Sequence, residues 1–420
     1  MHILTRPTRL DGMLPAEVVA LLGHLPNLVF FDTAGNLPSS AGRPISVIAA
    51  RPKKILRGSI HDISDRATLR QALAAGQPIA GDTGFPLGGL CGWVDYEGDF
   101  VFGNFTEMLV FCHTEQTWWE TGRLSKELQK SKETAPQISP FRALTSHGDF
   151  IQKVQRIREW ISDGDIYQVN LSQTFIAEVS GGSLYGLYEA LRDASPAPMA
   201  AWLSLDGKEI LSSSPEFFLK ISGSVIETRP IKGTRPRFTD PDEDRRSAYD
   251  LQTSAKEIAE LVMITDLLRN DLGQVCEFGS VEVSEMLQLE SLAQVHHLVS
   301  TVTGTLRPNI DAIDAIAACF PGGSITGAPK KRAMEIIQEL EGQPRGIYCG
   351  ALGWLGYNGE SSFNIAIRTL IREDDKLIYQ VGAGIVADSD PQKEYEETLH
   401  KAAGIRLAVE AFSKNHCPEK

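Results

Sequence analysis

Met199-Ala200-Ala201-Trp202-Leu203-Ser204-Leu205-Asp206-Gly207-Lys208-Glu209-Ile210-Leu211-Ser212-Ser213-Ser214-Pro215-Glu216-Phe217-Phe218-Leu219-Lys220-Ile221 holds three short apolar runs in succession. The runs 199–205, 209–213 and 217–221 read as strands, with no helical stretch between them. A second succession follows at 348–356, 361–371 and 376–382. Around these lie helical patterns. Phe150, Val154, Ile157 and Ile161 repeat at helical spacing and stop at Gly164. Further helices are predicted over 185–191, 247–270 and 329–341, the second with a core stripe of Ile258, Leu261, Val262 and Thr265. Tyr167 to Leu171 reads as a strand. The pattern is mixed α and β, without the regular alternation of a doubly wound sheet.

Upstream, residues 1 to about 128 hold short apolar runs split by Gly and Pro, such as Leu28-Val29-Phe30-Phe31 and Ile45-Ser46-Val47-Ile48, which read as strands and turns. The polar stretch Gln129 to Pro136 reads as a surface connection. The 420 residues are 42% hydrophobic and 23% charged, enough for a large core in one unit or two closely packed ones. A formal charge of −13 with no basic run argues against a nucleic-acid partner. An acidic chain that binds a small anion must gather positive groups or a metal at one place. Cys91, Cys112, Cys276, Cys319, Cys349 and Cys417 form no Cys-x-x-Cys pair, as expected of reduced thiols in the cytoplasm. The N-terminus has no signal-peptide core, and no apolar run reaches membrane-spanning length, so no membrane association is expected.

Two acidic doublets stand out. Glu257 and Glu260 are three apart on the predicted 247–270 helix, on one face and away from the apolar stripe. Glu394 and Glu397 repeat the spacing on the expected last helix. Oxygen-only ligands suit Mg²⁺, although the same spacing is common on solvated helix faces. In Arg229-Pro230-Ile231-Lys232-Gly233-Thr234-Arg235, Pro and Gly set Lys232 at the end of an extended segment. A lysine attacks only when neutral; with an ordinary pKa near ~10.4 it needs burial to become so, and otherwise it binds anions or is merely exposed. The turn Pro321-Gly322-Gly323-Ser324-Ile325-Thr326-Gly327-Ala328-Pro329 leads into a helix, with Thr326 as a candidate cap. Val381-Gly382-Ala383-Gly384-Ile385 offers a second close-approach backbone, without the third glycine or the βαβ setting of a dinucleotide site. Both turns could present amides to an anion or be ordinary turns. Arg368, alternating in the strand Asn364 to Thr369, and Lys401, four residues after Glu397, are cations that could meet an anion or lie on the surface. Cys91 in Gly89-Leu90-Cys91-Gly92-Trp93 lacks the sequence around a glutaminase nucleophile and reads as structural.

Taken in order, Gly164-Asp165-Ile166-Tyr167-Gln168-Val169-Asn170-Leu171-Ser172, Ser214-Pro215-Glu216, the Lys232 segment and Ile264-Thr265-Asp266-Leu267-Leu268-Arg269-Asn270-Asp271 form a series. His297-Leu298-Val299-Ser300, the Gly-rich turn at 320–330 and Gly382 through Ala402 complete it. The series resembles the chorismate-utilising enzymes, which comprise anthranilate, aminodeoxychorismate, isochorismate and salicylate synthases. It covers residues 146–405, taken as the catalytic domain; 1–128 resembles the N-terminal region of the anthranilate and aminodeoxychorismate members, 129–145 is the connection and 406–420 a tail. The resemblance implies an α/β fold of two β-sheets packed face to face with helices outside. It implies Mg²⁺ held directly by Glu260 and Glu397, and through water by Glu257 and Glu394. Arg368, Tyr348, Lys401 and the backbone at Gly382, Ala383 and Gly384 match positions that grip substrate carboxylates, and His297 and Thr326 match positions near the ring. Gln168 stands where water-adding members carry a lysine, which argues against water addition. Lys232 stands where anthranilate synthases have alanine; Pro-Ile-Lys-Gly-Thr is the form of the aminodeoxychorismate members. By that likeness Lys232 is the nucleophile and Glu216 the general acid, with chorismate and ammonia as substrates and a separate glutaminase subunit supplying the ammonia. Leu261 replaces a usual His or Asn, and His400 a usual Asn.

Overall fold

The computed structural model describes residues 4–33, 43–76, 83–130, 134–292 and 295–416. Two antiparallel sheets dominate it. One runs through Gly327–Ala328, Gln168–Ser180, Lys376–Ile385, Thr369–Glu373, Lys208–Ser214, Met199–Leu205, Val29–Asp32, Ile45–Ala49, Met108–Cys112 and Thr117–Thr121. The other runs through Ile231–Pro236, Val295–Thr305, Val225–Arg229, Phe217–Ser222, Ser361–Asn364, Ala351–Gly356, Gly89–Val94, Asp99–Phe105 and Lys54–Ser59. The predicted strands 199–205 and 209–213 pair as a hairpin that closes at Asp206-Gly207, both with positive φ, and sets Met199 opposite Ser214. The third strand of that opening stretch, Phe217–Ser222, crosses into the second sheet. Pro215 and Glu216 therefore lie where the chain passes from one sheet to the other.

Side-chain alternation explains the layering. Val29, Val47, Val110, Ala201, Leu203, Ile210 and Ile371 face Cys91, Trp93, Phe105, Leu352 and Trp354 of the other sheet in one buried cluster. Their neighbours Phe30, Ile48, Trp202, Leu211 and Leu370 point outward onto helices Pro15–Leu22, Tyr185–Ala194 and Ala403–His416. Helices His147–Ser162, Ala312–Cys319 and Lys330–Glu341 contribute to a third cluster around Phe102, Phe218 and Phe363. This is the expected α/β architecture, two facing sheets with helices outside.

Several local expectations are corrected. The single helix over 247–270 is two helices, Pro241–Gln252 and Ala255–Gly273; Ser254 breaks the run by accepting a hydrogen bond from the Glu257 amide. Within its stripe Leu261 and Thr265 are buried, but Val262 is largely exposed, because the buried face follows Leu261, Ile264, Thr265 and Leu268. The strand over 361–371 is interrupted at 365–368, where Arg368 takes a left-handed φ of 51°. Arg368 thus sits in a strand break rather than alternating along a strand. Tyr348 precedes its strand, which begins at Ala351. Thr326 does not cap the following helix: its Oγ1 donates to the carbonyls of Gly322 and Gly323, and Pro329 occupies the cap position. Glu394, Glu397 and Lys401 lie on the penultimate helix, Pro391–Lys401. Residues 406–416 continue a final helix with Phe412 buried, and 417–420, including Cys417, lie outside the described residues. Cys91, Cys112, Cys276, Cys319 and Cys349 are free and buried. Burial pushes the Cys91 thiol far up, which fits a structural residue. Among the described residues no helix is long and apolar enough to cross a membrane.

Candidate active site

Strands of both sheets and two helices line one cavity of about 480 Å³. Lys232 enters it from the edge strand Ile231–Pro236, whose register against Val295–Thr305 shifts between Lys232 and Thr234. Gly233 makes that bulge possible. It has φ +73°, and a Cβ there would lie 2.6 Å from Leu251 and 3.1 Å from Glu257. Opposite Thr234, His297 brings its Nδ1 to 3.0 Å from Thr234 Oγ1 and 3.3 Å from the Gly233 carbonyl. A carbonyl only accepts, so that contact places the proton on Nδ1 and leaves Nε2, buried and without a partner among the described residues, as an acceptor. Burial, helped by Arg368, lowers the imidazole to about 4, so it is neutral at pH 7.

Glu216 is 6% exposed, and its main chain is fixed by Ile365 N–H donating to its carbonyl. Its carboxyl is raised above the usual range by burial, against the lowering effect of the Ser324 hydroxyl, the Lys232 ammonium, the Ile231 amide and Lys401. This carboxyl is therefore biased toward its protonated form beside Lys232.

On the far wall, the strand Lys376–Ile385 brings Gly382 and Gly384 to the cavity. A Cβ on Gly382 would sit 3.0 Å from the Tyr348 hydroxyl, and one on Gly384 would sit 2.4 Å from Gln168 Nε2. The missing side chains let both groups close on the strand. Lys401 reaches back from its helix, its Nζ donating to the Gly382 carbonyl at 3.0 Å and pairing with Glu397 at 2.8 Å. Arg368 lines the cavity with no carboxylate within ion-pair distance among the described residues. Burial lowers its guanidinium, and Glu216 opposes that effect. A guanidinium turned into a cavity without an internal partner is built for an anion from outside. Below this wall, buried Arg345 donates to the carbonyls of Ile325 at 3.0 Å and Asn170 at 2.7 Å, and pairs with Glu341, fixing the Gly-rich turn to the 168–180 strand.

The helices Ala255–Gly273 and Pro391–Lys401 bring the acidic doublets together. Glu257, Glu260 and Glu397 line the cavity, while Glu394 sits behind it, 3% exposed, with Ser389 Oγ donating to Oε1 at 2.6 Å. Burial raises Glu260 and Glu394. At Glu397 burial acts in the same direction, but Lys401 overcomes it and holds the carboxylate below its usual range. Among the described residues no three such side chains form a ready-made metal cage. The donors nevertheless fit Mg²⁺: they are all carboxylates, and Glu394 Oε2 is a buried acceptor with no partner among the described residues. A Mg²⁺ ion takes one or two carboxylates and keeps open positions for water and substrate oxygens, so a loose ring suits it better than a tight cage.

Of the residues expected at the site, Lys232, Glu216, His297, Tyr348, Arg368, Gly382, Gly384, Lys401, Glu257, Glu260 and Glu397 line this one cavity. Thr326 is fully buried beneath it, and Ala383 is buried on the other face of its strand. Gln168 packs behind Gly384 with Oε1 unpartnered. Ser324, Lys256, Gln380, Asn170 and His400 also line the cavity and carried no role in the sequence reading. For Lys256 a signal existed, since it stands four residues before Glu260. For Ser324 the turn was visible, but its bond to Glu216 joins residues over a hundred positions apart.

The family model described as chorismate binding enzyme matches residues 93–406, and the chain belongs to that family. It is therefore an enzyme of the chorismate-utilising group. Anthranilate synthase component 1 of Methanothermobacter thermautotrophicus is 40% identical over 357 residues, covering 80% of this chain and 76% of the relative. Aminodeoxychorismate synthase component 1 of Bacillus subtilis is 40% identical over 334 residues, covering 74% and 71%. The crystal structure of anthranilate synthase component I from Streptococcus pneumoniae superposes with a TM-score of 0.76 at 29% identity, over 88% of this chain and 94% of that one.

Proposed function

We propose that the chain is the chorismate-aminating component of an aminodeoxychorismate synthase, converting chorismate and ammonia to 4-amino-4-deoxychorismate. The observation that carries this is Lys232 in Pro-Ile-Lys-Gly-Thr, set by the Gly233 bulge into the same cavity as Glu216 and Arg368. Arg368 and Lys401 hold the carboxylates of chorismate, and the free Nε2 of His297 accepts a hydrogen bond at the ring. The amine of Lys232 attacks ring C2; the two ring double bonds shift, and the C4 hydroxyl departs as water with the proton of Glu216. Ammonia then adds at C4 and gives up one proton to the Glu216 carboxylate, the double bonds return, and lysine leaves C2 as a neutral amine, which restores both groups. Direct attack of ammonia at C2 would give the ortho product, so the covalent step accounts for para placement. Glu260 and Glu397 directly, and Glu257 and Glu394 through water, would hold Mg²⁺, which when bound would neutralise carboxylate charge. Ammonia arises from glutamine on a separate glutaminase subunit, in keeping with the component numbering of the relatives, and the setting is the cytoplasm.

The test is incubation of the purified chain with chorismate, Mg²⁺ and an ammonium salt, with chromatographic identification of the product. The expected product is 4-amino-4-deoxychorismate; anthranilate would establish the ortho reaction instead.

A further inference from the structure

Lys256 opens the helix Ala255–Gly273 one residue before Glu257, and no step of the reaction above uses it. Its Nζ lies 4.0 Å from Glu260 Oε1 on its own helix and 3.8 Å from Glu394 Oε1 on the helix Pro391–Lys401. Glu257 and Glu397 also act on its charge. Among the described residues two further cations make an ion pair with one carboxylate each, Arg235 at 4.0 Å from Glu257 and Lys401 at 2.8 Å from Glu397 with the Gly382 carbonyl as a second partner, while Lys232 acts on Glu260 and Glu397 through charge without an ion pair to either. Among the described residues, Lys256 is the one cation within 4.0 Å of a carboxylate on each of the two helices. Its stem is half exposed, so the head can swing into solvent. Beside it, Glu394 Oε2 is buried with no partner among the described residues.

We propose that Lys256 is a built-in counter-ion of the glutamate cluster, holding the two acidic helices together until a divalent cation displaces its ammonium. The inference rests on the reading that these glutamates hold a divalent ion. Four carboxylates on two helices repel one another, and one ammonium between Glu260 and Glu394 reduces that repulsion. A Mg²⁺ ion arriving among the same oxygens meets a like charge, so Lys256 weakens its binding and must turn outward. The residue thus sets how much free Mg²⁺ the enzyme needs.

The test is calorimetric titration of Mg²⁺ into the full chain and into Lys256→Met, at low and high salt. The variant is expected to bind about tenfold more tightly at low salt, with the gap narrowing as salt screens the half-exposed charge. Equal or weaker binding by the variant, with the wild type binding normally, overturns this inference alone. Absence of binding by both overturns the metal reading and this inference with it. A second measurement needs no variant: brief acetylation of the wild-type chain, read by peptide mass spectrometry. Acetylation of Lys256 is expected to rise several-fold when Mg²⁺ is added, and no change or a fall would contradict displacement.

Discussion

His297 and Glu216 are both buried in the cavity wall, yet burial works on them in opposite chemical directions. For His297 it lowers the imidazole from 6.5 to about 4, so the unfolded chain takes up this proton first as pH falls. Its contribution to stability is fully present above pH 6.5 and is lost as pH falls toward 4, by up to about 3 kcal/mol. Urea unfolding over that window is expected to show a smaller loss for His297→Gln than for the wild type; parallel curves would contradict the buried, neutral imidazole. For Glu216 burial raises the carboxyl, the direction that the proposed general-acid role requires. Amination is expected to fall on the alkaline side as Glu216 ionises, and Glu216→Gln to lose about 10²- to 10⁴-fold in kcat at every pH. Lys232→Ala is expected to lose the para product by roughly 10³-fold while still binding chorismate. Of these residues Lys232 was legible on its own, beside Pro and Gly, whereas His297 and Glu216 came only from the likeness to a known family. Their environments were not legible. The bond from Ser324 to Glu216 and the free Nε2 of His297 depend on neighbours far along the chain.

The helix Ala255–Gly273 shows why element boundaries were harder to read. Its apolar spacing runs on smoothly from the preceding helix, and only the Thr253-Ser254 pair marks the join. The strands Glu282–Ser291 and Val295–Thr305 were not predicted. The first holds Glu285 and Glu290 at half-covered positions and exposes Glu282 and both its serines, and the second buries His296, His297, Ser300 and Thr301 where apolar residues would be expected. Polar burial of this kind is the mark of a strand that lines a site. The bulge at Gly233 depends equally on long-range pairing. Gly233→Ala is expected to cost about 1–3 kcal/mol through the left-handed backbone and the contact with Leu251. It should also lower kcat by more than that loss of stability accounts for, because Lys232 turns with the bulge. Urea unfolding and steady-state kinetics on one preparation check both, and unchanged kcat would remove the bulge from the aiming of Lys232.

Across the whole molecule, mixed α and β composition was legible from runs such as 199–221, whereas the strand order was not. Strands such as Val29–Asp32 and Met199–Leu205 are neighbours in one sheet though some 170 residues apart, and no local pattern encodes that pairing. The face-to-face sheets came instead from the likeness of seven ordered motifs to a known family. The cavity lined by both sheets follows from that arrangement, because acidic helices, lysine strand and glycine strand come from separate parts of the chain. With no glutaminase nucleophile in evidence, the purified chain is expected to aminate chorismate with ammonium salts and not with glutamine. Turnover of glutamine by the chain alone would contradict a separate ammonia-supplying subunit.

The covalent role of Lys232 is tested most directly by mixing the chain with chorismate and Mg²⁺ in the absence of ammonia, quenching, and mapping peptides by mass spectrometry. The account predicts chorismate less one water attached to the peptide that carries Lys232, released when ammonium is supplied. An unmodified Lys232 peptide from a preparation that goes on to make the para-amino product would contradict it.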